Sequence, residues 1–147
     1  MILVDTNVIS EPLRQSPEPR VIEWIDAQPI ETLYLAAITV AELRLGVASL
    51  PAGKRRDGLH QSVERQVLPL FAGRVLPFDM ATSTFYAESM AKARSAGLAI
   101  ATADGYIAAT AIANGMMVAT RDVSPFEVAG VRVINPWSES PARPSWG

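Results

Sequence analysis

The chain has 147 residues, 49% hydrophobic and 19% charged, with no cysteine and a formal net charge of −2. That length argues for one domain with ample apolar material for a core, and the composition excludes intrinsic disorder. Lack of cysteine excludes disulfides and thiolate metal sites, and the near-neutral charge excludes a whole-molecule electrostatic footprint for nucleic acid, so any such contact must be local.

The N-terminus, MILVDTNVIS, carries an acid at position five and no basic run, unlike a signal peptide. No apolar run approaches a membrane span, so a soluble cytoplasmic protein with no membrane association is expected. Ile2-Leu3-Val4 reads as a short buried strand ending at Asp5. Gln15 to Pro19 reads as a loop, and Val21, Ile22 and Ile25 mark a short amphipathic helix that stops near Pro29. Leu33 to Ile38 is predicted as the second strand. Thr39 and Glu42 then match the S/T-x-x-E capping box, opening a helix from Val40 to Leu50. After the break at Pro51-Ala52-Gly53 a longer helix is predicted from Lys54 to Leu68.

Arg74 to Phe78 is extended, and its proline marks an edge or irregular strand. Asp79 is the expected N-cap of a helix reaching Ser95. Another helix spans Ala103 to Ala113 and ends at Asn114-Gly115. Met117-Val118-Ala119 and Val131 to Ile134 are the last two strands. Residues 138–147, rich in Ser and Pro, read as a flexible tail after a single domain over 1–137. Strands alternating with helices predict an α/β fold with a parallel sheet covered on both faces.

Four acids fall where strands end or helices begin: Asp5, Glu42, Asp104 and Asp122. Each has a local explanation as a cap, turn or first-turn residue. Jointly they share the carboxyl edge of a parallel sheet, where ligands bind. Four carboxylates gathered there would repel, a like pair at about 4 Å by roughly 4 kcal/mol at an effective dielectric of about 20, so the cluster implies a cation. All-oxygen donors suit Mg²⁺ or Mn²⁺, and such a site suits phosphodiester hydrolysis by metal-activated water. The only histidine, His60, lies elsewhere, and Asp79 is better placed as a cap. Thr6, Asn7 and Thr120 adjoin the acids and are candidates for orienting carboxylates or water. Lys54, Arg55 and Arg56 form the strongest basic run, and with Arg121 they are the candidate nucleic-acid contacts.

The segments ILVDTNVISE, AITVAELRLGV, ADGYIAATA and VATRD, in this order and spacing, resemble PIN-domain proteins, and among them the VapC/FitB-like toxins of type II toxin–antitoxin pairs. The resemblance runs from Met1 to about Trp137. It implies a three-layer α/β/α fold around a mostly parallel five-stranded sheet, with Asp5, Glu42, Asp104 and Asp122 as metal-binding acids. It further implies a Mg²⁺- or Mn²⁺-dependent ribonuclease, a homodimer, and a cognate DNA-binding antitoxin through which operator DNA is reached. Two alternatives keep the fold: a catalytically inactive nucleic-acid-binding or regulatory module, and a nuclease directed at DNA. A haloacid-dehalogenase-type phosphatase would want an acid where Asn7 stands. A response-regulator receiver would want a lysine after the last strand, and Lys54 and Lys92 are the only lysines.

Overall fold

A computed structural model describes residues 1–138. Five strands, β1 (Ile2–Val4), β2 (Leu33–Ala36), β3 (Val75–Leu76), β4 (Met117–Ala119) and β5 (Val133–Ile134), make one sheet in the order β3-β2-β1-β4-β5. Every pairing is parallel. Parallel neighbours require crossovers, and the helices supply them: α1 (Thr6–Ser10), α2 (Pro19–Ala27), α3 (Ala37–Ala48), α4 (Lys54–Gln61), α5 (Met80–Ser95), α6 (Thr102–Ala113) and α7 (Val123–Val128).

Side chains alternate across the sheet with period two. Ile2, Val4, Leu33, Leu35, Ala119 and Ile134 enter one core with Val8, Trp24, Leu43, Val63 and Phe71. Leu3, Ala36 and Val118 enter a second core with Ile107, Ala111 and Phe126. Helices α1 to α3, with the segment from Val63 to Phe71, therefore cover one face, while α6 and α7 cover the other, with α5 packed on α6. Burial on both faces is why the strands read as unbroken apolar runs. The expected three-layer α/β/α architecture is the one observed.

Topology then selects a place. The chain builds β1, β2 and β3 outward in one direction and returns to add β4 and β5 on the other side of β1. The direction of winding reverses between β1 and β4, and a crevice opens outside their carboxyl ends. Asp5 directly follows β1, and Thr120 directly follows β4.

Several local expectations need correction. The capping box does not form: α3 begins at Ala37, its N-cap Ala36 is extended (φ −83, ψ 149), and no side chain caps it. Strand β2 runs straight into the helix, and the N-cap position is occupied by Ala36, which is buried and has no polar side chain. Thr39 lies inside the first turn, fully buried, and its Oγ1 has no hydrogen-bond partner among the described residues. The helix expected from Lys54 to Leu68 is α-helical only to Gln61; a π-helical stretch over Ser62–Val67 and a 3-10 turn over Leu68–Phe71 follow. Pro69, which lacks an N–H, suits the tighter turn. Strand β5 starts at Val133 rather than Val131, because the Val131 N–H turns back to Phe126 O at 2.9 Å after Gly130 (φ 82) closes α7. The sequence reading also missed α7 itself. The tail expected over 138–147 lies, from residue 139, outside the described residues.

Candidate active site

Asp5 is the innermost of the four acids, 4% exposed at the N-cap of α1. Its Oδ1 accepts from the Thr6 backbone N–H at 2.8 Å, and its Oδ2 accepts from Thr120 Oγ1 at 2.7 Å. The Asp5 N–H extends the ladder to Ala119 O at 2.9 Å, which locks the acid to the end of β4. Burial pushes the Asp5 carboxyl up to about 6; the Thr120 and Thr6 hydrogen bonds oppose this, and the charges of Asp104 and Glu42 add to it.

The Thr120 hydroxyl is a hub. While donating to Asp5 it accepts from the Asp122 N–H at 3.0 Å and from Asn7 Nδ2 at 3.4 Å. Asn7 Oδ1 in turn accepts from the Arg121 N–H at 3.3 Å. The turn carrying Asp122 is thus tied to the start of α1. Asp122 is exposed at the N-cap position of α7, and its side chain makes no capping bond, which leaves the carboxylate uncommitted.

Glu42 projects from the middle of α3, and its Oε1 accepts from Thr6 Oγ1 at 2.6 Å. Thr6 therefore serves two acids, Asp5 through its backbone and Glu42 through its hydroxyl. Asp104 lies in the first turn of α6, where the helix dipole favours an anion. Its carboxyl is raised above the usual range, by burial first and then by the charges of Asp122 and Glu42. All four predicted acids thus share one electrostatic neighbourhood. They do not pack as tightly as the sequence suggested: among the described residues no three Asp, Glu or His side chains form a ligand set. Asp5 and Glu42 are instead held by their own hydrogen bonds, and Asp104 and Asp122 stand at the starts of α6 and α7.

The donor set still suits a hard cation. Asp5 uses two of its roughly four lone-pair positions, every available donor is oxygen, and like charges favour neutralisation by a cation. With at most two protein carboxylates at one point, an ion would complete its shell with water and phosphate oxygens, which is the habit of Mg²⁺.

The basic candidates separate. Arg55 lines a groove of about 330 Å³ together with Thr6, Arg14, Glu42 and Leu43, so it shares that groove with one of the four acids. Arg56 lines a different cavity of about 490 Å³ with Arg44, Asp57 and His60. Lys54 is exposed at the start of α4. The Arg121 guanidinium stacks over the Trp137 ring, 5.1 Å from its centroid. Sequence reading missed Glu11, which is 3% exposed and bonded by Arg14 at 3.1 Å and by the Glu18 N–H at 2.9 Å. Burial works against its charge, but those bonds hold its carboxyl below the usual range. The three-residue spacing of Glu11 and Arg14 was the available signal; the Glu18 contact had none.

A buried aspartate and its acidic neighbours at the β1/β4 switch point agree with the sequence comparison, in which the PIN domain profile matches residues 2–131. The chain belongs to the PIN-domain family. Within it, this PIN domain is VapC/FitB-like. VapC ribonuclease Y4jK of Sinorhizobium fredii is 62% identical over 137 residues, spanning 93% of this chain and 98% of that one. Toxin FitB of Neisseria gonorrhoeae is 55% identical over 139 residues, spanning 95% of this chain and all of that one (100%). A solved structure of FitAB bound to an IR36 DNA fragment contains a chain that superposes on this PIN domain with a TM-score of 0.92 at 55% identity, covering 95% of this chain and 98% of that one. No helix of the described residues is long and apolar enough to cross a membrane.

Proposed function

We propose that this PIN domain, taken as residues 1–137, is the toxin of a type II toxin–antitoxin pair and acts as a Mg²⁺- or Mn²⁺-dependent endoribonuclease. The observation that carries this reading is Asp5: a carboxylate 4% exposed, raised to about 6, and facing the charges of Asp104 and Glu42. A fold gains no stability from that grouping; the grouping is useful when a cation neutralises it. Asp5, Glu42, Asp104 and Asp122 are the residues assigned to the metal, some of them directly and the others through water. A divalent ion there supplies Lewis-acid stabilisation of phosphate charge and a more acidic water.

The chain's own residues prepare the site. Thr120 and Thr6 aim the Asp5 oxygens, and Thr6 also fixes one oxygen of Glu42. Asn7 anchors the turn that presents Asp122. Arg55, on the groove that includes Glu42, neutralises a phosphate of the bound strand. The name of the Sinorhizobium relative supports RNA as substrate. The FitAB complex supports a cognate antitoxin as partner, with operator DNA reached through it. A homodimer is part of the same proposal.

The test is cleavage of total RNA by antitoxin-free protein in Mg²⁺, Mn²⁺ or EDTA, with Asp104→Asn purified in parallel. Discrete metal-dependent products lost in the variant are expected. Equal cleavage by the variant, or none by wild type, would remove the enzymatic reading; cleavage of DNA alone would redirect the substrate.

A further inference from the structure

Among the described residues, three aromatic rings stand outside both hydrophobic cores. Phe78 follows β3 by two residues, so it sits at the same carboxyl edge of the sheet as the acids. Its ring meets Tyr106 edge-on at 4.9 Å and Tyr86 at 5.9 Å, and the two tyrosines tilt together at 4.9 Å. Phe78 is 40% exposed and both tyrosines are partly exposed. Tyr106 lies two residues beyond Asp104 on α6. The cluster also presses on the turn that carries that acid: a Cβ built at Gly105 would lie 3.0 Å from Tyr86 Cε2 and 2.9 Å from Met90 Sδ. Gly105 therefore lets the aromatic side of α5 close against the Asp104 turn.

We propose that Phe78, Tyr86 and Tyr106 form a stacking platform for an unpaired base of the substrate strand, next to the acidic site at Asp104. This rests on the ribonuclease reading and adds what that reading lacks, a contact with bases. Exposed rings suit this because every base offers a π-face, and bases are free to stack only where a strand is single. A second copy of the chain is the rival occupant, but the direct seating of the rings on the Asp104 turn favours a ligand of the active site.

The experiment uses full-length protein and a single-stranded RNA oligonucleotide carrying 2-aminopurine, bound in EDTA and, separately, cleaved in Mg²⁺. Phe78→Leu keeps apolar bulk at an exposed position, and Phe78→Tyr keeps the ring. Loss of one stacked base corresponds to a binding loss of about 5- to 150-fold for Phe78→Leu. Phe78→Tyr should bind like wild type, and the Phe78→Leu loss should be the same factor at low and high salt, since stacking releases no counterions. Quenching of 2-aminopurine should weaken in parallel. Unchanged affinity and quenching in Phe78→Leu would overturn the platform, and so would an altered molar mass by light scattering, which would assign the rings to an interface between copies. Absence of wild-type cleavage with stacking intact would instead strike the ribonuclease reading alone.

Discussion

The Thr120 hydroxyl donates to Asp5 Oδ2 at 2.7 Å, joining residues 115 positions apart across the reversal point of the sheet. The bond is buried, and it connects the ends of β1 and β4 through side chains where the backbone ladder stops. Because Thr120 also accepts from the Asp122 N–H, one hydroxyl sets the spacing of two acids.

Asp5 makes the metal-free protein sensitive to pH. Its folded-state value of about 6 lies above the ordinary 3.8, so the folded state holds a proton that the unfolded chain has released. Stability is then highest below about pH 4 for this group and is lost as pH rises through about 6, by on the order of 3 kcal/mol. Asp5→Asn should flatten the melting temperature between pH 4 and 7 in EDTA and raise it above wild type at pH 7.5. Parallel pH profiles for the two proteins would show that the charge is not penalised.

Millimolar Mg²⁺ or Mn²⁺ should raise the wild-type melting temperature at pH 7.5 by linkage. The same group that resists ionisation competes for protons, so the metal-induced shift should shrink as pH falls below about 6. Asp104→Asn should lose the shift and at least about 100-fold in cleavage, with an apo melting temperature equal to or above wild type. A large apo destabilisation would assign Asp104 a structural role.

Glu42 lies mid-helix and caps nothing, so Glu42→Gln should leave stability within about 0.5 kcal/mol while reducing metal binding and cleavage. Thr6→Val, which removes the donor to Glu42 Oε1, should lower activity in the same direction. Full activity in Glu42→Gln would exclude a charge requirement at this position.

Thr39 buries a hydroxyl with no partner among the described residues. Thr39→Val keeps the shape and removes the unsatisfied group, and should stabilise by about 1 kcal/mol. Chemical denaturation measures this directly; destabilisation would mean that the hydroxyl is satisfied in solution.

Arg55 and Arg121 should behave differently toward RNA. Arg55→Ala should weaken binding at all sequences and reduce the salt slope by about 0.7, the release expected for one single-strand phosphate contact. Arg121 is engaged with Trp137, so Arg121→Ala should lower the melting temperature and change the slope less. Equal slopes for both variants would remove the distinction.

Much was legible in the chain alone. Apolar runs such as Ile2-Leu3-Val4 and Met117-Val118-Ala119 mark strands buried on both faces, because period and burial are local consequences of residue type. The placement of Asp5, Asp104 and Asp122 at element boundaries followed from the same reading, and Asp79 does cap α5, accepting from the Thr82 N–H at 2.9 Å. Local signals failed where a distant partner outweighed them. Thr39 and Glu42 spell a capping box, yet the buried β2–α3 junction starts the helix earlier and Glu42 turns to Thr6 instead. Arg55 and Arg56 are chain neighbours, but helix geometry sends them to different cavities. The sequence by itself determined which residue types stand at the sheet's carboxyl edge. Only the tertiary structure decided which of them meet, because hydrogen bonds such as Thr120–Asp5 and ring contacts such as Phe78–Tyr106 depend on strand order and helix packing, which no local pattern encodes.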